Sequence, residues 1–63
     1  MTIEIIKVII GICKEGSIGD CTPDHIQFHY TYHIARDREK VQLHRAGFNV
    51  VSHGNSINVL IPA

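Results

Sequence analysis

The sequence carries no net charge, and this absence limits the partners that it can attract. Its 63 residues hold six Lys and Arg side chains against six Asp and Glu side chains. A neutral chain lacks the positive field that steers proteins to nucleic acid. The charges are nevertheless unevenly placed, because most acids lie in residues 1–24 and most bases in residues 36–45. We therefore expect a neutral but polarised molecule.

No apolar run is long enough to cross a membrane as a helix, which requires about 20 residues. Residues 1–13 resemble an export signal only superficially, since Glu4 stands where a signal needs positive charge and Lys7 interrupts the apolar run. No small-residue cleavage site follows. We therefore expect a cytoplasmic protein without membrane association, in which Cys13 and Cys21 are reduced.

The sequence also lacks the short motifs of common catalytic sites. It has no Gly-x-Ser-x-Gly, no glycine-rich phosphate loop and no paired carboxylates. Ser52 and His53 are adjacent, but neighbouring strand residues point to opposite faces and cannot act as nucleophile and base. A domain of this size is also too small for an ordinary enclosed pocket of about 300 Å3 or more. We therefore expect a protein that is not an enzyme.

Potential metal ligands are present, but their spacing is unfavourable. His25, His29 and His33 recur every four residues, which is about 13 Å along an extended chain and too far for one zinc ion. A zinc site would have to combine both cysteines with histidines from separate segments, namely Cys13, Cys21, His25 and His53. Because this spacing matches no known zinc knuckle, we expect no metal, no cofactor and two free thiols, with a disulfide as the alternative.

The most informative stretch is residues 25–34, which is rich in histidine and aromatic residues. At a period of two, one side is apolar and comprises Ile26, Phe28, Tyr30, Tyr32 and Ile34. The other side is polar and comprises His25, Gln27, His29, Thr31 and His33. This alternation predicts a strand with an apolar face in the core and an imidazole-rich face in solvent. A helix would scatter the aromatic side chains around its surface.

Two segments precede this strand. Residues 2–13 predict a first strand because they are dense in β-branched residues, and both faces of that strand would be apolar. One helix cannot cover both faces of a sheet, so we expect a second copy of the chain to cover one of them, in a homodimer formed through the first strand. Residues 14–24 are rich in turn formers and predict a surface loop, which is also a candidate contact segment.

A helix is predicted over residues 38–46, with Asp37 as its N-cap. Gly47 would supply the left-handed residue after the helix, and Phe48 would reach back to Leu43 in a Schellman ending. The apolar stripe of this helix is thin and comprises Val41, Leu43 and Ala46. The helix is therefore expected to depend on packing against a sheet.

Two further strands are predicted at residues 48–53 and 56–61. They flank Gly54-Asn55, which fits a two-residue type II′ turn with glycine first. The complete prediction is one α+β domain over residues 1–63, ordered β-β-α-β-β, with one helix packed on a mostly antiparallel four-stranded sheet.

The segment Gln42-Leu-His-Arg-Ala-Gly-Phe-Asn-Val-Val-Ser-His-Gly-Asn-Ser-Ile57 resembles the helix-Gly-Phe-strand-turn-strand unit of HicA-type messenger-RNA-cleaving toxins. That family carries its catalytic histidine directly after a Gly-Ser pair at the hairpin, and here Ile57 follows Ser56. The resemblance covers under a third of the chain and implies the local structure, while the toxin activity is not carried over.

These observations favour a non-enzymatic protein-binding module. In size and element order the chain is similar to small phage-encoded inhibitors of host RNA polymerase and to some anti-CRISPR proteins, which implies a host or cognate protein complex as partner. The alternative is an RNA-binding or ribonuclease-toxin-like protein that uses the basic helix. The candidate binding residues are His25, Gln27, His29, Thr31 and His33 on the strand, and Arg38, Gln42 and Arg45 on the helix.

Overall fold

The computed structural model describes residues 2–62, which form two helices and a four-stranded antiparallel sheet. The elements are α1 (Thr2–Ile12), β1 (Ser17–Cys21), β2 (His25–His29), α2 (His33–Arg45), β3 (Val50–His53) and β4 (Ser56–Leu60). The predicted α+β class and antiparallel four-stranded sheet are confirmed. Met1 and Ala63 of the predicted 1–63 domain lie outside the described residues. No helix within residues 2–62 has the length and apolar character needed to cross a bilayer.

The N-terminal element is a helix, so the predicted first strand over residues 2–13 is wrong and the chain has two helices rather than one. The side chains that α1 and the residue after it direct to the core are Ile5, Ile6, Ile9, Ile12 and Cys13. Their spacing has the 3.6-residue period of a helix, whereas a period of two left both faces apolar. Packing of this stripe stabilises the helix despite the modest helix propensity of isoleucine.

The change from strand to helix removes the argument for a dimer formed through a first strand. A helix needs cover along one stripe only, and that stripe of α1 already faces the core. The homodimer itself stays a prediction. Its contact would have to use the outward side chains of α1, of which Ile3, Val8 and Ile10 are exposed.

The predicted loop over residues 14–24 contains the strand β1, and in this respect the prediction was wrong. β1 pairs with β2 through Ser17 opposite His29 and Ile18 opposite Phe28, and its register shifts before Cys21. All five residues of β1 are exposed, as expected of an edge strand. The turn chemistry was read correctly for residues 14–16, which form a turn and a bend, and for residues 22–24, where the Thr22 hydroxyl accepts hydrogen bonds from the Asp24 and His25 backbone N–H groups.

The sheet has the order β1-β2-β4-β3, and both helices pack on one of its faces. The side chains of the covered face include Ile26 and Phe28 from β2 and Ile57 and Val59 from β4, and these are fully buried. Ile9 of α1 and Leu43 of α2 complete this core. The predicted apolar side of residues 25–34 is confirmed for Ile26, Phe28 and Tyr30.

The second half of that predicted strand is wrong, because β2 ends at His29 and α2 begins at His33. Tyr32 and Ile34 are therefore 70% and 69% exposed instead of buried. Tyr32 is the N-cap, without a side-chain capping bond, and the predicted N-cap Asp37 lies inside α2. The helix starts earlier than predicted because its tertiary contacts extend to Ala35, which is buried.

The end of α2 is the predicted Schellman motif. Gly47 has a φ of 92° and its N–H donates to the His44 carbonyl at 3.0 Å, while the Phe48 N–H donates to the Leu43 carbonyl at 3.0 Å. The apolar stripe differs from the prediction, since α2 buries Ala35, Glu39 and Leu43 and leaves Val41 and Ala46 exposed.

The predicted two-residue hairpin is also confirmed. His53 pairs with Ser56, and Gly54 has a φ of 56°. No described residue other than glycine has a positive φ, so Asn55 has the negative φ that a type II′ turn requires at its second position.

A buried carboxylate ties the end of α1 to α2. Glu39 is only 4% exposed, and its Oε1 accepts a hydrogen bond of 2.8 Å from the Tyr30 hydroxyl. Its two oxygens also lie 3.3 Å from the Glu15 backbone N–H, which donates to them. A buried carboxylate is tolerated only when such donors satisfy it. Glu39 therefore interrupts the apolar stripe of α2 for a structural reason that the sequence pattern did not reveal.

Candidate functional site

The sheet face opposite the helices is the candidate site, and we call it the uncovered face. Side chains alternate along each strand, so the neighbours of the core residues must project from this face. They are Ser17 and Gly19 of β1, His25, Gln27 and His29 of β2, Ser56, Asn58 and Leu60 of β4, and Val51 and His53 of β3. These residues are half-buried or exposed.

One row of this face crosses all four strands and contains two histidines. Its members, in order across the sheet, are Ser17, His29, Ser56 and His53. We call these four residues the imidazole row. It combines one residue from each strand, and two of its members come from the C-terminal hairpin.

The His29 ring is held in place on both sides. Its Nδ1 lies 2.6 Å from the Ser56 Oγ, within hydrogen-bond distance. At the other end, a Cβ added to Gly19 would lie 2.5 Å from Nε2, so the ring occupies the space above this glycine. The imidazole therefore spans from β4 to β1 and is oriented before any partner binds.

The next row contains Gln27, Asn58 and Val51. The Gln27 Oε1 accepts a hydrogen bond of 3.4 Å from the Asp20 backbone N–H. The Asn58 Oδ1 is buried and has no hydrogen-bond partner within the described part of the chain. Amide groups therefore occupy the middle of the uncovered face.

The last row pairs His25 with Leu60. The Thr22 hydroxyl lies 3.2 Å from the His25 Nδ1, which ties this imidazole to the β1–β2 turn. The row thus joins a polar and an apolar side chain at one end of the face.

Of the five predicted strand residues, His25, Gln27 and His29 lie together on the uncovered face, and their binding role stays a prediction. The predicted strand position is wrong for the other two residues. Thr31 lies in the connection after β2, and His33 is the first residue of α2.

Sequence reasoning did not identify His53 and Ser56 as members of the candidate site. The Gly54-Asn55 turn was the signal that could have found them, because it fixes the register of that hairpin.

The three predicted helix residues lie far from the imidazole row. Arg38, Gln42 and Arg45 are exposed on one side of α2, as their spacing predicted. However, α2 packs on the covered face of the sheet, so the two predicted sets of binding residues lie on opposite sides of the molecule. Arg38 is also paired with the Glu15 carboxylate. The structure does not bring the two sets into one site.

The uncovered face has almost no permanent charge. Within residues 2–62 none of the four strands contains Lys or Arg, and Asp20 is the one acid in them. Two cations of α2 reach the β3–β4 hairpin. Arg36 donates to the Gly54 carbonyl at the turn and pairs with Asp37 at 2.9 Å, and Lys40 donates to the Ser52 hydroxyl at 2.6 Å. The face is therefore polar, with histidine as its main source of adjustable charge.

The contact between Ser56 and His29 has the distance of a nucleophile and its base. A catalytic arrangement also needs a group that orients the histidine and a cavity that holds substrate. No hydrogen-bond partner of Nε2 and no enclosed pocket are found among the described residues. This arrangement suits a surface contact better than substrate enclosure.

Neither thiol contributes to the uncovered face, and residues 2–62 contain no group of three potential metal ligands. Cys13 and Cys21 are free, the first buried and the second exposed. Burial raises the pKa of the Cys13 thiol from its ordinary 9.0 to about 11, a hydrogen bond with Tyr30 opposes this rise, and the charge of Glu39 adds to it. Burial also raises the pKa of Tyr30, and its bonds to Cys13 and Glu39 raise it further.

Comparison with family models, curated proteins and solved structures finds no match to the chain. The local unit expected from the resemblance to HicA-type toxins is present, since α2 is followed by Gly47, β3, a tight turn and β4. Ile57, at the position of that family's catalytic histidine, is fully buried in the core. This position therefore offers no catalytic group.

Proposed function

We propose that this protein is a small cytoplasmic module that binds another protein through the uncovered face of its sheet. The observation that supports this proposal is a polar sheet face on which neither helix of residues 2–62 packs. A helix layer stabilises one side only, so the other side is available for a partner. Polar residues with little charge and apolar neighbours are typical of protein interfaces.

The lack of cations supports a protein partner over a nucleic acid. Phosphate contacts supply most of the affinity for nucleic acid, and they come mainly from Lys and Arg. The four strands contain neither residue. Val51 and Leu60, which are partly exposed on the same face, add apolar contact area that suits a protein surface.

We further propose that binding blocks the partner, as small phage-type inhibitors do when they occupy the surface of a host complex. A chain with no enclosed pocket within residues 2–62 acts most simply by covering a surface on which its partner depends. The expected partner is therefore a larger protein assembly.

RNA binding through α2 is a second candidate. Its support is the exposed basic side formed by Arg38, Gln42 and Arg45. Labelled RNA bound at two salt concentrations tests this alternative, because phosphate-driven binding weakens steeply with salt. The pairing of Arg38 with Glu15 lowers the charge available for such contacts.

A matched pair of substitutions tests the proposed face. Val51 on the uncovered face and Val41 on α2 are exposed to similar extents, 44% and 49%. Val51→Glu introduces a charged side chain into the proposed interface, whereas Val41→Glu introduces the same change on the opposite side. Capture of a host protein by the immobilised chain, followed by mass spectrometry, is expected to be lost in Val51→Glu and retained in Val41→Glu.

Circular dichroism and melting temperature should be nearly unchanged in both variants. The proposal is wrong if Val41→Glu loses the captured protein while Val51→Glu keeps it. It is equally wrong if neither variant affects capture.

A further inference from the structure

The imidazole row concentrates hydrogen-bond donors along one line of the uncovered face. Ser56 stands between His29 and His53, whose strands flank β4, so their Cα atoms are about 10 Å apart. A protonated imidazole donates from both ring nitrogens, and one donor of the His29–Ser56 pair is used in the hydrogen bond between them. The row therefore offers the remaining donors of His29, Ser56 and His53 over a distance that one extended segment of a partner spans.

Few permanently charged side chains lie near the histidines of the imidazole row. The charged or titratable groups around the row are Asp20 on β1, Asp24 in the turn before β2, His25 on β2 and Arg36 at the 54–55 turn. Arg36 is already paired with Asp37. From the helices, Arg36 of α2 reaches the 54–55 turn, and Lys40 of α2 donates to the Ser52 hydroxyl at 2.6 Å, next to His53 in β3. Asp20 is the one permanent charge within the strands, and histidine is the residue type through which this face can gain positive charge.

We infer that the uncovered face recognises an acidic protein segment, with the imidazole row as the element that binds its carboxylates and makes capture stronger at lower pH. This inference rests on the proposed function and names the chemistry of the partner. Imidazole is the side chain that gains charge between pH 8 and 5, and a charged imidazole forms stronger hydrogen bonds to carboxylates than a neutral one.

Carboxylates fit this face better than a nucleic acid backbone does. A nucleic acid carries a regular series of phosphates and needs several permanent cations, which the strands lack. A short acidic segment needs only a few charge-assisted donors, together with polar and apolar contacts around them. Gln27, Asn58 and Val51 supply those contacts in the adjacent row.

Binding of fluorescently labelled oligoglutamate, measured by anisotropy at constant ionic strength, tests the inference. The affinity at about pH 6 should exceed that at about pH 8 by roughly tenfold, which corresponds to about 1.4 kcal/mol at 25 °C. The double variant His29→Gln/His53→Gln should lose this pH dependence. The control double variant His33→Gln/His44→Gln, altered at exposed residues of α2, should retain it.

Labelled oligolysine and oligouridylate are the comparison probes. The inference is overturned if the affinity for oligoglutamate is the same at both pH values, or if both double variants lose the pH dependence. Tighter binding of oligouridylate than of oligoglutamate would overturn it as well, in favour of an RNA partner.

The two proposals fail in different ways. If Val51→Glu abolishes capture of the host protein while His29→Gln/His53→Gln leaves it unchanged at both pH values, the uncovered face is an interface and the carboxylate inference is wrong. If Val51→Glu also leaves capture unchanged, the proposed function is wrong. Melting temperatures of all variants identify any loss that results from unfolding.

Discussion

The two faces of the sheet differ in burial and in side-chain type, although they are built from alternate residues of the same strands. On β2, Phe28 is fully buried beneath the helices, and its neighbours Gln27 and His29 project from the other face. The covered face consists of tightly packed apolar side chains, whereas the uncovered face consists of amides, hydroxyls and imidazoles. The comparison teaches that the pleat of the strand separates buried from exposed side chains, and substitutions should reveal whether stability and the proposed recognition are separated in the same way.

The largest contrast is expected between Phe28→Ala and Gln27→Ala. Removing a buried phenylalanine side chain costs about 3–5 kcal/mol, because it leaves a cavity as well as losing apolar burial. Such a loss equals the whole stability expected of a domain this small. Gln27→Ala should cost less than about 1 kcal/mol. Urea unfolding monitored by circular dichroism measures both, and equal losses would contradict the division into two faces.

A smaller difference in stability loss is expected between alanine substitutions of Gly16, which lies against the core, and Gly19, which lies on the uncovered face. A Cβ at Gly16 would lie 2.8 Å from the buried Tyr30 ring and 3.1 Å from the Phe28 Cβ, so Gly16→Ala should cost about 1–3 kcal/mol through overpacking. A Cβ at Gly19 would instead meet the outer ends of His29 and Gln27. These side chains can move, so Gly19→Ala should change stability by less than about 1 kcal/mol.

Gly19→Ala should nevertheless displace the His29 ring from the position that it occupies above β1. The expected consequence is weaker oligoglutamate binding at about pH 6 with an almost unchanged melting temperature. If Gly19→Ala is less stable than Gly16→Ala, the position of the His29 ring contributes mainly to stability.

The covered side should also show itself in a loss of stability at high pH. The raised pKa of Cys13 means that the unfolded thiol ionises first, near 9, while the folded thiol stays protonated until about 11. The native state then binds more protons in this window, so stability is fully present below pH 9 and decreases as the pH rises to 11. Tyr30, whose pKa is also raised, acts in the same direction.

Thermal melts between about pH 7 and 11 measure this decrease, which should be smaller in Cys13→Ala than in the unaltered protein. The exposed Cys21 provides the internal comparison. It should react with a thiol reagent in the folded protein, whereas the buried Cys13 should react only on unfolding. Equal rates for the two thiols would show that the core around Cys13 opens readily.

Local signals were read correctly where a few adjacent residues determine the geometry. Gly47 and Phe48 ended α2 as expected, and Gly54-Asn55 produced the predicted hairpin. Alternation identified the buried side of β2 up to Tyr30. These features depend on backbone conformations and side-chain periods that neighbours in sequence already define.

Long-range packing decided the elements that were misread. Residues 2–13 are rich in isoleucine and suit a strand or a helix, and only the docking of Ile9 and Cys13 on the sheet selects the helix. Likewise, Ser17–Cys21 has weak strand propensity and forms β1 because the free edge of β2 offers hydrogen bonds.

The candidate site shows the same division. By itself, the sequence determined which residue types alternate along β2 and therefore that imidazoles and amides share one side of that strand. Only the tertiary structure decided that His29 lies beside Ser56 and in one row with His53, because strand order and register join residues far apart in the chain. The tertiary structure also decided which face stays open. The helices pack on the apolar face, because burial of apolar side chains there gains the most free energy.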